Sequence, residues 1–138
     1  MKNLFIIMTM LLFFLQANSQ NSTTKKLNSN QLASKNSINE LLQGKWQKIN
    51  DKTNYLVFEN NQRKEMSKGM NKWQIEPYIL SNMCLNEFDK DGGYDPENNK
   101  YISCEKSDMC WYIENISKAY LTLGRMGFSE SLKYKRIK

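Results

Sequence analysis

The chain of 138 residues contains no histidine. That absence removes Ser-His-Asp and Cys-His catalysis, imidazole zinc sites and a histidine pH switch together. An enzyme built from this sequence would have to work with carboxylates, Lys, Tyr or Cys alone, and none is expected. Long hydrophobic runs are lacking too. The longest, Leu4 to Leu15, has about 12 residues where a spanning helix needs roughly 20, so no membrane span is expected. No segment reads as a crossover helix, which excludes a parallel βαβ architecture. Basic residues outnumber acidic ones, 20 to 14, but the two signs are interleaved. The one compact patch, Lys133-Tyr134-Lys135-Arg136-Ile137-Lys138, alternates like one face of a strand. Nucleic-acid binding is not expected.

The N-terminus predicts an export signal over residues 1–19. Lys2 and Asn3 form a short basic start, the apolar run follows, and Ala17-Asn18-Ser19 supplies small residues where a signal peptidase reads. No Cys stands at the cleavage site, which argues against a lipid-anchored form. The expected location is secreted or periplasmic. Removing residues 1–19 leaves 119 residues with 19 basic and 14 acidic side chains, a charge of +5. That is one domain with one modest core.

Three cysteines, Cys84, Cys104 and Cys110, all follow the signal. In an oxidising compartment they imply one disulfide and one leftover thiol. A catalytic thiol would have no imidazole partner. Cys104–Cys110 would close a tiny loop inside one hairpin. Either bridge from Cys84 encloses residues 85–100, and loop-closure entropy favours that larger enclosure, itself worth about 3 kcal/mol or more. Between those two bridges this argument does not choose.

Residues 20–36 are rich in Asn, Ser, Thr and Lys and read as a disordered polar leader. The domain, residues 37–138, then opens on a capping box, Ser37 with Glu40. Ile38, Leu41 and Leu42 follow at helical spacing, and Gly44 supplies the stop. Such a short helix needs something larger to pack on. Beyond Gly44 the period falls to two. Strands are expected at 45–50, 54–59, 62–66, 73–80, 101–104, 109–116, 120–125 and 131–138, with a tight turn at Asn60-Asn61. Pro77 inside the fourth suggests an edge or a bulge. Eight short strands in a meander close most naturally into an antiparallel up-and-down barrel, all-β apart from the leading helix.

No metal or cofactor emerges. Asp89, Asp91 and Asp95 beside Gly92-Gly93 look calcium-like, but the sixth and twelfth places of an EF-hand loop would hold Tyr94 and Lys100. Glu59, Glu65, Glu76 and Glu114 lie on separate strands, and nothing in their spacing requires a catalytic pair. Asn21 and Asn115 head acceptor sequons.

Gly44-Lys45-Trp46 directly after a short helix resembles the G-x-W signature of lipocalins and their calycin relatives. Leu132-Lys133-Tyr134-Lys135-Arg136 resembles the last strand of the small lipocalin-like domains in exported proteins of Bacteroidetes-type bacteria. Cys110-Trp111-Tyr112-Ile113 and Leu121-Thr122-Leu123 fit the same group, so the likeness covers about residues 38–138. It implies structural roles for Gly44, Trp46 and Arg136, the last two plugging one end of the barrel. Barrel closure independently brings Arg136 near Trp46, where a guanidinium can lie over an indole face. The likeness also implies that Cys110 pairs with Cys84 and leaves Cys104 as the extra.

About 94 residues must build all eight strands, far fewer than in the large lipocalins. An eight-stranded barrel is just wide enough to be filled by side chains or to hold one small ligand. Trp73, Trp111, Phe58, Tyr78, Tyr112, Leu121 and Leu123 could fill it outright. Two functional expectations follow. In the first, a small apolar or amphipathic molecule binds in the barrel, touching Phe58, Trp73, Tyr78, Trp111 and Leu123. In the second, a filled barrel engages a protein partner, as an inhibitor or envelope-assembly subunit would, and the 85–100 excursion is the presenting surface. A monomer is expected in either case.

Overall fold

Residues 38–138 are described by the structure, a computed structural model. The expected export signal (1–19), the expected leader (20–36) and Ser37 of the expected capping box lie outside the described residues. Helix α1 (residues 38–42) ends where the Gln43 amide bonds to the Asn39 carbonyl at 3.2 Å. Gly44 then takes a φ of +117°, which L side chains rarely adopt, and turns the chain into β1 (Gly44–Lys48). There follow β2 (Tyr55–Glu59), β3 (Gln62–Met66), β4 (Gln74–Pro77), β5 (Ile79–Ser81), β6 (Tyr101–Cys104), β7 (Met109–Ile116), β8 (Tyr120–Arg125) and β9 (Ser131–Ile137). Every pairing is antiparallel, in the order β4-β3-β2-β1-β9-β8-β7-β6-β5. The β1–β9 pairing rolls this sheet into a nearly closed barrel.

The strand count is nine, where the sequence suggests eight. The expected strand 73–80 splits at Tyr78. Its first half pairs with β3 and its second half with β6, so one stretch of chain spans the seam. The physical reason sits at the break. Pro77 has no N–H to give to a ladder, and the next amide, of Tyr78, turns to the Asn61 carbonyl at 3.0 Å. The Asn60-Asn61 turn forms as its composition suggests. Both residues take positive φ, 50° and 58°, and Glu59 pairs with Gln62, a two-residue hairpin whose twist suits the strands.

Side chains from all around the barrel meet inside it. Leu42, Trp46, Leu56, Phe58, Tyr78, Ile102, Cys104, Trp111, Ile113, Leu121, Leu123 and Tyr134 form one buried cluster. Helix α1 closes one end. The Trp46 indole donates to the Leu42 carbonyl at 2.9 Å, and the Arg136 guanidinium donates to the carbonyls of Leu41 and Gln43. These are carbonyls that the end of a helix leaves without partners. Arg136 stands directly opposite Trp46 in the β1–β9 register, its Cζ 4.1 Å from the indole ring.

Residues 82–100 make a second layer outside the barrel rather than a free loop. The chain doubles back after β5: Ile79 pairs with Ser103, and the Leu85 amide reaches the Ser103 hydroxyl at 2.9 Å. This reversal carries Cys84 to Cys110, across the ladder from Ser103, and the two are disulfide-bonded with 5.8 Å between Cα atoms. An ideal meander would hold them apart. Tyr101 and Cys110 pack with Cys84 in a small outer core that Tyr94, Tyr112 and Met126 border. The bridge spans a sequence separation of 26. Replacing both cysteines with Ala should lower stability by about 3 kcal/mol in chemical denaturation. Faster amide exchange should be confined to 82–100, with the barrel strands still protected.

Candidate functional site

Of the five side chains expected to meet a ligand, the barrel brings four together. Phe58, Tyr78, Trp111 and Leu123 are all buried in the main cluster, Phe58 edge-on to Tyr78 at 5.3 Å between ring centres. Tyr78 is also tied to the helix, since its hydroxyl accepts from Gln43 Nε2 at 3.0 Å. Trp73 is not with them. It precedes β4 on the opposite side of the chain and lies 36% exposed outside the barrel.

A charged cluster that the sequence reading missed shares the interior. Arg63 and Glu76 are each only 1% exposed and join at 3.1 Å from Nη1 to Oε1. The other end of the guanidinium meets Glu65 at 2.6 Å, and its Cζ lies 5.4 Å from the Trp111 ring centre. The second Glu76 oxygen accepts from the Ser107 amide at 3.1 Å. Two of the four glutamates noted in the sequence are thus gathered by one arginine. A signal for this was present. The Asn60-Asn61 hairpin sets Phe58 opposite Arg63, so an inward Phe58 forces an inward Arg63.

Cys104, the free thiol, lies buried in the same interior. Burial, opposed by Arg63 and reinforced by Glu76, pushes its pKa from 9.0 up to about 12. Burial likewise raises Tyr134 and Tyr78 above their usual phenol value. The unfolded chain therefore loses the Cys104 proton first, and between pH about 9 and about 12 the folded state binds more protons. Stability should fall as pH rises through that window. Urea denaturation of the protein and of its Cys104→Ala variant at pH 8, 9 and 10 checks this, the variant showing the shallower decline.

The outer layer builds a different feature. A groove of about 500 Å³ runs between residues 93–97 and the outer faces of β7 and β8. Tyr94, Tyr101, Tyr112 and Phe128 supply its aromatic wall, and Asp95, Glu97 and Glu114 its acids. The Tyr101 hydroxyl donates to the Asp95 carbonyl at 2.7 Å, and the Tyr112 hydroxyl donates to Glu97. That bond to Glu97 raises the Tyr112 pKa to about 12, with burial adding to it. Glu114 sits at a register shift between β7 and β8 and accepts from the Ser131 hydroxyl at 2.6 Å. Gly124 makes the room, since a Cβ there would stand 2.8 Å from Glu114 Oε1. Arg125 is the groove's one cation, and its Cζ lies over the Phe128 ring at 4.2 Å.

The three aspartates that fail the EF-hand spacing differ in burial. Asp89 is buried and accepts from Asn86 Nδ2 at 2.8 Å, while Asp91 and Asp95 stay exposed. No cluster of metal-ligating side chains occurs among the described residues, and no helix among them is long and apolar enough to cross a membrane. Comparison with known proteins finds no matching family model, no similar curated protein and no similar solved structure.

Proposed function

We propose that the protein is an exported, lipocalin-like barrel that binds rather than catalyses, and that it binds on its outer face. The groove beside the disulfide-strapped layer is the site. Its partner is a protein segment or small molecule presenting a positive charge. The observation that carries this reading is the groove's composition: four aromatic rings and three carboxylates against one arginine, on a chain of net charge +6. Ring faces and carboxylates both attract organic cations, and partial enclosure strengthens the attraction. Disulfide strapping of 82–100 accords with export, since such bonds persist in oxidising compartments.

A small apolar ligand inside the barrel is the less favoured reading, because Phe58, Tyr78, Trp111 and Leu123 already pack against one another there. Catalysis is disfavoured because the interior carboxylates Glu65 and Glu76 are held by Arg63. Amide chemical-shift mapping tests the choice, with Lys-rich and Arg-rich peptides, spermidine and laurate as probes. The cationic probes should move signals of Tyr94, Tyr112 and Met126. Asp95→Asn with Glu97→Gln should weaken them at least about 10-fold, the loss of two favourable charge contacts. Shifts from laurate centred on Phe58 and Ile102 would reinstate the interior ligand.

A further inference from the structure

Residues 73–79 alternate in the wrong sense for a barrel wall. Glu76 and Tyr78 point inward and are buried, while Trp73, Ile75, Pro77 and Ile79 are exposed. A strand facing water on its outer side ordinarily reads the other way. Part of this apolar exposure lies beside a basic loop. Trp73 and Ile75, exposed by 36% and 47%, line a cleft of about 430 Å³ with Met70, Lys72 and Lys106. Met70 is held there by a turn in which its amide bonds to the Ser67 carbonyl at 3.0 Å and Gly69 takes a φ of +88°. Lys68 is exposed on the same turn. No ion pair among the described residues engages Lys68, Lys72 or Lys106. No acid lines the cleft: Glu105 and Asp108, both exposed on the turn that carries Lys106, border a separate hollow beside Ile79 and Leu85, so the charges at the cleft itself are the two lysines.

We propose that this face docks the protein on an anionic lipid surface. The chemistry matches on both counts. Trp is suited to the boundary between headgroups and acyl chains, and Met and Ile add apolar area next to it. The lysines bring flexible charges that need no fixed acceptor geometry, and each favours an anionic leaflet by about 5-fold in partitioning. Attachment is reversible and lies on the membrane, with no segment crossing it. The face is separate from the aromatic groove, and the two readings stand or fall independently.

Tryptophan fluorescence reads this contact directly. Trp46 and Trp111 are buried, so the emission that can respond to a surface is that of Trp73. With vesicles of mixed phosphatidylglycerol and phosphatidylcholine, the full chain should show a blue shift and quenching by brominated lipid. Neither should occur with phosphatidylcholine alone, and both should weaken as salt rises. Lys72→Gln with Lys106→Gln should lower vesicle partitioning about 30-fold. Trp73→Phe should keep most of the sedimentation with vesicles and lose the spectral change. The apolar run at residues 4–15 supplies the competing explanation. Sedimentation without a Trp73 response, or sedimentation indifferent to the two lysines, would overturn the proposal. An equal Trp73 response to dissolved laurate without vesicles would also overturn it, by assigning the cleft to single amphiphiles.

Discussion

Arg63→Ala is expected to lower stability by about 3–5 kcal/mol, measured by urea denaturation at neutral pH. The guanidinium is almost wholly buried between Glu65 and Glu76. Without it, Glu76 would keep only the Ser107 amide as a partner while remaining 1% exposed. A buried carboxylate stripped of its counter-charge is among the most costly defects a core can carry. Removing the pair together is a different matter. Arg63 Nε and the Trp111 indole N–H have no hydrogen-bond partner, so the cluster is imperfectly satisfied as it stands. Arg63→Met with Glu76→Leu should therefore recover most of the loss and can exceed the parent. A single-variant loss below about 1 kcal/mol would mean that the cluster is solvated like a surface pair.

Trp46→Ala should cost a similar amount, about 3–5 kcal/mol, because the indole is fully buried where α1 meets the barrel. Three links fail together: packing against the main cluster, the bond to the Leu42 carbonyl, and the platform under Arg136. Arg136→Ala should be less damaging alone and partly redundant with it, with a coupling energy above about 0.5 kcal/mol in the double variant. Arg136→Lys should rescue little. One ammonium cannot bond the Leu41, Gln43 and Lys118 carbonyls at once while lying flat on the ring. Strict additivity would separate the two residues and break this account of the barrel's closed end.

Strand positions were legible because they rest on local chemistry. The boundaries at 62–66, 101–104, 109–116 and 120–125 agree with the structure to the residue. Asn pairs, polar turns and alternation are short-range signals, and here each points the same way. Where the local signal ran against the fold, the reading slipped. In 73–79, alternation sets Trp73, Ile75, Pro77 and Ile79 on one face against Gln74, Glu76 and Tyr78 on the other, and the apolar face is not the inward one. Trp73 was accordingly expected inside and lies outside. The inward face of that strand holds Glu76 instead, and its partner Arg63 comes from across the ladder.

The amino-acid sequence by itself determined, through composition, that no histidine chemistry operates here, through periodicity, that the domain is β-rich after one short helix, and through spacing, that Cys84 gains most from being bridged. Alternation together with closure of the meander also placed Trp46 and Arg136 at neighbouring ends of the first and last strands. Only the tertiary structure decided which way each strand faces, how the seam is crossed at Tyr78, and where residues 82–100 lie. Those outcomes depend on contacts between residues far apart in the chain. The aromatic groove is of that kind, because Glu97 and Tyr112 or Tyr94 and Met126 become neighbours only when the strapped layer folds back over β7 and β8. Burial, the strongest force in this fold, acts on the assembled surface, and one sequence read locally does not contain that surface.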